Sequence, residues 1–283
     1  MLPIQANSSA LRILRDLNTD DVLRAVGLGH LVGKPSAVRR LLDAPSSLLA
    51  QKLLRFDAAL GRGEWSAAGA GLLAELGTRL RFAGSVPVDQ GPRLFLANHP
   101  GLGDVPALMT LLGTPDLKIV ARDRPVLRAL PGLLPRLLLV SERGAGDTVR
   151  RAEAHLAAGG ALLTFPAGQI EPDPAWQDPS ASWARWSAST AFWARRVPGL
   201  TVQPFLVSGV RARPFVDPWF ARWRPWSERE WTAAVAQLVV QLFWKRPRTA
   251  RITVWGGEPI PGERFNGAAL LPSLAALAAL SRR

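Results

Sequence analysis

Cysteine is absent from the 283 residues, which removes a disulfide framework, thiolate metal sites and a cysteine nucleophile together. The absence leaves the redox compartment open. Histidine is scarce: His30, His99 and His155 are too few for a histidine-rich metal site, and no metal or resident cofactor is expected. Long apolar runs are missing as well. The longest, residues 130–140 (interrupted by Pro135 and Arg136) and 235–244, fall short of the roughly 18 residues that a membrane-spanning helix needs. The first residues carry no basic stretch ahead of an apolar core, so no signal peptide is expected. No internal repeat or low-complexity linker is present. A soluble or membrane-peripheral protein follows, expected in the cytoplasm and at the inner face of the membrane.

Lysine is nearly missing from the cations, with 4 among 35 basic residues, and the remainder are arginine. The formal net charge is +13. Such a surplus suits an anionic partner: nucleic acid, a membrane surface or a phosphorylated substrate. GC-rich coding, which favours Ala, Leu and Gly along with Arg, is a second source of the same excess. No helix-turn-helix, zinc or RNP-type signature accompanies the charge, so nucleic-acid binding has charge alone in its favour.

With 48% hydrophobic residues the chain has ample material for a core. Residues 1–84 are expected to form an N-terminal helical segment without strands. Asp20 and Asp21 are candidate helix caps, and residues 46–60 and 67–80 show helical spacing of apolar side chains. From Pro92 the pattern changes to short apolar runs: 94–97, 118–121, 137–140, 161–165, 202–207 and 251–255, separated by segments long enough for helices. Strands alternating with helices predict an α/β domain over residues 85–283, built on a mixed, largely parallel sheet flanked by helices. Residues 173–179 are expected to be a loop, and 180–196 a helix presenting Trp183, Trp186, Thr190 and Trp193 on one face, as core packing would require.

The chemically informative stretch is Asn98-His99-Pro100-Gly101-Leu102-Gly103-Asp104. A strand ends, a Pro/Gly-rich turn follows and a helix begins. On one helix, positions five apart diverge. The proline and two glycines are expected to let the chain fold back, so that Asp104 meets one imidazole nitrogen of His99. That would fix the tautomer and leave the other nitrogen as a base able to deprotonate a hydroxyl. The same residues also read as a turn histidine followed by an ordinary helix cap, and His-x4-Asp alone does not separate the two.

Further blocks follow in order. Residues 118–121 lead to Arg122; residues 137–140 lead through Ser141-Glu142 to Arg143; then come Phe165-Pro166-Ala167-Gly168 and Val202-Gln203-Pro204-Phe205-Leu206. With these the chain resembles the phospholipid/glycerol acyltransferase family, which includes the bacterial lysophosphatidate acyltransferases, over about residues 80–215. The resemblance implies transfer of a fatty acyl chain from acyl-CoA or acyl-carrier protein to a hydroxyl of a lysophospholipid or related lipid. Asp104 would hold His99, and His99 would be the base. Arg143 looks like the family arginine that binds acceptor phosphate. Arg122, Phe165, Pro166, Gly168 and Gln169 are the further substrate-binding candidates, with backbone donors near Gly168 as a candidate oxyanion site.

The pattern departs at Ala167, where the family usually has glutamate, and at Ile170, where an arginine commonly follows. Either the acceptor is not lysophosphatidate, or Gln169 and Glu171 substitute. A non-catalytic lipid-binding member of the same fold is the alternative reading, and a basic nucleic-acid-binding protein the more distant one. Trp219, Trp223, Trp226 and Trp231 alternate with Arg213, Arg222, Arg224 and Arg229. This mixture suits lipid headgroups as well as single-stranded nucleic acid, and an anionic membrane surface is the expected partner.

Overall fold

The computed structural model describes residues 4–141, 144–217, 219–243 and 250–282. Three helices come first: α1 (Ile4–Ala25), α2 (Ala37–Gly61) and α3 (Trp65–Glu75). The sheet has eight strands: β1 (Arg79–Gly84), β2 (Arg93–Ala97), β3 (Leu117–Arg122), β4 (Leu137–Val140), β5 (Ala161–Thr164), β6 (Thr201–Ser208), β7 (Arg251–Gly256) and β8 (Ile260–Pro261). Between and after them lie α4 (Asp104–Leu112), α5 (Pro125–Arg128), α6 (Gly146–Ala157), α7 (Ser180–Trp183), α8 (Ser189–Arg196), α9 (Trp226–Phe243) and α10 (Gly267–Ser281).

The strand order is β1-β7-β6-β2-β5-β3-β4, with β8 beside β6. Pairing is parallel except where β6 meets β7 and β8. The protein is therefore α/β, with a mixed, mostly parallel sheet flanked by helices. Burial on both faces explains why β2 reads as an unbroken apolar run. Its side chains alternate between two cores. Phe95 and Ala97 pack with α4 residues Ala107, Leu108 and Leu112 and with Leu14, Ala50 and Phe56 of the N-terminal helices. Leu94 and Leu96 pack with Leu156 of α6, Trp193 of α8 and Leu274 of α10. The first three helices thus share a core with the sheet.

Pro204 stands in a central strand, where its missing N–H would ordinarily break a ladder. It falls between the antiparallel pairings of β6 with β8 (Thr201 and Val202) and with β7 (Phe205 to Ser208), where neither ladder asks for a donor.

Three expectations are corrected. Residues 79–84 are not helical: β1 lies parallel to β7, on the edge of the sheet, and its Arg-Leu-Arg-Phe alternation is the strand signal that the surrounding helical spacing masked. Asp20 and Asp21 cap nothing and sit inside α1; Asp20 accepts from Arg39 Nη1 at 2.5 Å and Asp21 from Arg24 Nη1 at 3.2 Å. The helix expected at 180–196 is broken into α7 and α8, because the Ser187 N–H donates to Pro166 O (3.0 Å) and Trp186 turns inward. Trp183 and Trp193 are nevertheless buried core residues.

Asn98, immediately after β2, is fully buried. Its Nδ2 donates to Val207 O (2.9 Å) and its Oδ1 accepts from Val207 N (2.7 Å), stapling the end of β2 to β6. Asn98→Ala is expected to cost about 2 kcal/mol or more in a urea titration, since both backbone groups of Val207 would lose their partner. A loss well under ~1 kcal/mol would show that the staple is dispensable.

Candidate active site

Strands β2, β5, β3 and β6 run parallel, so their C-terminal ends share one edge of the sheet, the usual ligand-binding edge of an open α/β sheet. His99 leaves the end of β2, Phe165 the end of β5, Arg122 closes β3, and Arg211 follows β6.

His99 Nδ1 lies 2.8 Å from Asp104 Oδ2. Asp104 is fully buried at the first position of α4, and its Oδ1 accepts from Val105 N at 2.7 Å. The helix N-terminus favours its charge. The cap position belongs to Gly103, so Asp104 is not the ordinary cap of the alternative reading. Its Oδ2 also accepts from Gly101 N at 3.1 Å, which closes the turn on itself. An ionised carboxylate only accepts, so Nδ1 carries the proton and Nε2 is left as the basic nitrogen. The His99 side chain keeps 22% of its exposure while Asp104 keeps none.

Burial works against a charged ring at His99. The Asp104 carboxylate, its hydrogen bond and the charge of Glu171 work for it, Arg211 opposes, and the balance holds the imidazole above its ordinary pKa. The glycines of the turn serve close approach rather than unusual dihedrals. A Cβ on Gly101 would stand 2.8 Å from Val210 Cγ1, and one on Gly103 2.9 Å from Ile252 Cδ1.

Two buried side chains that the turn itself does not contain fasten it. Glu171 accepts the His99 N–H at 2.9 Å, and the Glu171 N–H donates to His99 O at 2.7 Å. Arg211 Nε donates to Pro100 O at 2.9 Å, while its Nη2 meets Glu230 Oε2 at 2.8 Å. The backbone at Gly209 and Arg211 is in turn held by Asp173, at 2.8 and 2.7 Å. Burial pushes the Glu171, Asp173 and Glu230 carboxyls up and the Arg211 guanidinium down. Sequence reasoning offered Glu171 as a substitute for the missing acceptor-side glutamate. The structure corrects this: the carboxylate is fully buried and spent on His99, Ser182 and Trp186. Arg211 and Asp173 were missed, since a lone Arg in a Trp/Arg-rich stretch gives no sign of burial.

The other candidates are brought together in part. The Phe165 ring packs on His99, with centroids 4.8 Å apart. Pro166 is buried. Gly168 adopts φ +63° in the turn, where an L side chain would be strained. Arg122, exposed, donates from Nη2 to Gly168 O at 3.2 Å, joining the end of β3 to this turn. Gln169 is half-buried beside it. The Gly168 N–H is engaged by Phe165 O at 3.0 Å, so it is not a free oxyanion donor. Arg143 lies outside the described residues. His155 is a packing residue, its Nε2 3.0 Å from Ala161 O.

Fold and site together define an α/β protein with a carboxylate-oriented histidine at the C-terminal edge of a mostly parallel sheet. The chain is similar to the crystal structure of the 1-acyl-sn-glycerophosphate (LPA) acyltransferase, PlsC, from Thermotoga maritima, at 17% identity and a TM-score of 0.47, over 98% of this chain and 95% of that one. No protein-family model matches the sequence, and no curated protein matches it.

In an NMR pH titration the His99 ring is expected to change charge above the ordinary histidine value, and Asp104→Asn should bring that midpoint down. The sign for stability follows from linkage. A raised folded-state value means that the imidazolium's contribution is fully present below the unfolded value and is lost as pH rises through the folded one. Asp104→Asn should flatten that slope. A midpoint that the substitution leaves in place would show that the carboxylate does not govern the ring.

Proposed function

We propose that this protein is an O-acyltransferase that moves a fatty acyl chain from acyl-CoA or acyl-carrier protein to a hydroxyl of a lysophospholipid or related lipid, in the manner of a 1-acylglycerol-3-phosphate acyltransferase. The observation that carries the reading is the 2.8 Å contact between His99 Nδ1 and the buried Asp104, which leaves Nε2 as a base beside the turn formed by Phe165 to Gly168. His99 Nε2 takes the acceptor's hydroxyl proton as that oxygen attacks the thioester carbon. The tetrahedral adduct collapses, the C–S bond breaks, and the imidazolium returns the proton to the leaving thiolate. Asp104 keeps the ring in the right tautomer and stabilises its charged form. No metal or cofactor is needed beyond the acyl donor as co-substrate.

Arg122, Phe165, Pro166, Gly168 and Gln169 are the proposed substrate-binding residues, and Arg143 the proposed phosphate ligand. With Ala167 in place of glutamate and Glu171 turned inward, the acceptor is left to basic and amide groups. That favours an acceptor bound without a carboxylate from this block.

The test is transfer of labelled acyl groups from acyl-CoA and acyl-carrier protein to a panel of lysophosphatidate, other lysolipids, lyso-ornithine lipid and glycolipid alcohols. His99→Ala is expected to lower transfer by on the order of 100-fold or more. Absence of transfer to every acceptor, with lipid binding retained, would favour the non-catalytic alternative.

An anionic membrane surface, at the inner face of the cytoplasmic membrane, is the proposed setting. No helix among the described residues is long and apolar enough to cross a membrane. Trp219 and Trp223 are 79% and 69% exposed on the segment leading into α9, amid an overall charge of +13. Arg222 pairs with Asp217 (3.0 Å) and Arg224 with Glu228 (2.5 Å), so tryptophan rather than local charge is expected to dominate binding. The side chain of Trp226 lies outside the described residues, and Trp231 stacks under Arg124. Vesicles containing anionic phospholipid should pellet the parent protein more strongly than a Trp219→Ala/Trp223→Ala variant. Equal pelleting would remove these residues from the membrane contact.

A further inference from the structure

Glu171 is a buried carboxylate for which the acid–base pair leaves no part. Strand β2 stops at Ala97, so the backbone of His99 has no ladder partner. One residue supplies both of its bonds: Glu171 Oε2 accepts the His99 N–H at 2.9 Å, and the Glu171 N–H donates to His99 O at 2.7 Å. The far oxygen, Oε1, accepts from Ser182 Oγ at 2.8 Å and from Trp186 Nε1 at 2.9 Å. Three donors from two separate segments, the His99 turn and residues 182–186, therefore meet on two oxygens.

A backbone carbonyl would satisfy one N–H at far lower desolvation cost than a buried carboxylate. The carboxylate does two things that a carbonyl does not. It ties the histidine's main chain to the Ser182–Trp186 segment, and it sets a negative charge against the imidazole. An amide could not replace it cleanly. Only one end of a glutamine accepts, so its NH2 would face either the His99 N–H or the Trp186 N–H, both of which only donate. The charged groups around the ring are Asp104 from α4, Glu171 from the segment after β5 and Arg211 from the segment after β6.

We propose that Glu171 is a positioning residue for the His99 base: Asp104 fixes the ring, and Glu171 fixes the backbone on which the ring is mounted and sets a carboxylate beside it. The rate consequence rests on the acyl-transfer reading above; the consequence for the titration of His99 does not.

The experiment compares wild type with Glu171→Gln and with a Ser182→Ala/Trp186→Phe double variant. The double variant keeps the bonds between Glu171 and His99 but removes the donors on the other oxygen. Thermal melts establish that each variant is folded. The His99 midpoint is read by NMR, with His99→Ala assigning the signal. Steady-state kinetics use whichever acceptor the panel identifies. Glu171→Gln is expected to lower kcat by on the order of 10- to 100-fold, with KM for donor and acceptor changed by no more than about twofold, and to bring the His99 midpoint down. The double variant should lose less of kcat. An unchanged midpoint in Glu171→Gln, a loss confined to KM, or an equal kcat loss in the double variant overturns the proposal. If no acceptor is acylated, the acyl-transfer reading fails by itself, and the midpoint alone decides the role of Glu171.

Discussion

The charge of Asp104, held without solvent at the start of α4, is the constraint around which the site is arranged. A carboxylate in that place must be met by donors, and the turn from Asn98 to Val105 supplies them: His99 Nδ1, Gly101 N and Val105 N. The turn could not hold that shape unaided, because its two glycines impose little of their own. Asn98 anchors one end to β6, Glu171 holds His99 and Arg211 holds Pro100. The histidine is thus oriented through its ring and through its main chain, by groups from different parts of the sheet.

These fasteners form a run of buried charges of alternating sign. Asp104 meets the His99 ring, Arg211 pairs with Glu230 and gives its backbone N–H to Asp173, and Glu171 accepts from the His99 main chain. Buried ion pairs recover little net stability once desolvation is counted. What they supply here is direction. The fixed fork of the Arg211 guanidinium spans Pro100, Phe215 and Glu230, and so relates the His99 turn to both ends of the Trp- and Arg-bearing segment before and into α9. The surface proposed to meet lipid and the base proposed to act on it are therefore held by the same side chain.

The sheet explains why these groups converge. Adjacent parallel strands deliver their following segments to the same edge, and five of them, β6, β2, β5, β3 and β4, do so among the described residues. Phe165 reaches His99 and Arg122 reaches Gly168 although 66 and 46 positions separate them in the chain, because β5 lies between β2 and β3.

Much of this was legible in the sequence. The short apolar runs located β2 to β7 within a residue or two, most directly for β2, β5 and β6, which are buried on both faces. The Pro/Gly turn between His99 and Asp104 announced a return of the chain, and the structure closes it at hydrogen-bonding distance. Edge strand β1 escaped because its exposed arginines resemble the charged face of a helix. The break after Trp183 escaped because a continuous helical period does not record that Trp186 has a partner elsewhere. The use of Glu171, Arg211 and Asp173 could not be read from sequence at all. Their types say only that they are charged, and burial depends on which strands become neighbours. The sequence by itself determined the α/β alternation, which is set by local period, and brought His99 and Asp104 within reach of one another; that they pair, with Gly103 and not Asp104 at the cap, was decided by the folded turn. Tertiary structure alone decided that Glu171 turns to the main chain of His99, because that follows from where folding sets His99, Ser182 and Trp186 around its two oxygens.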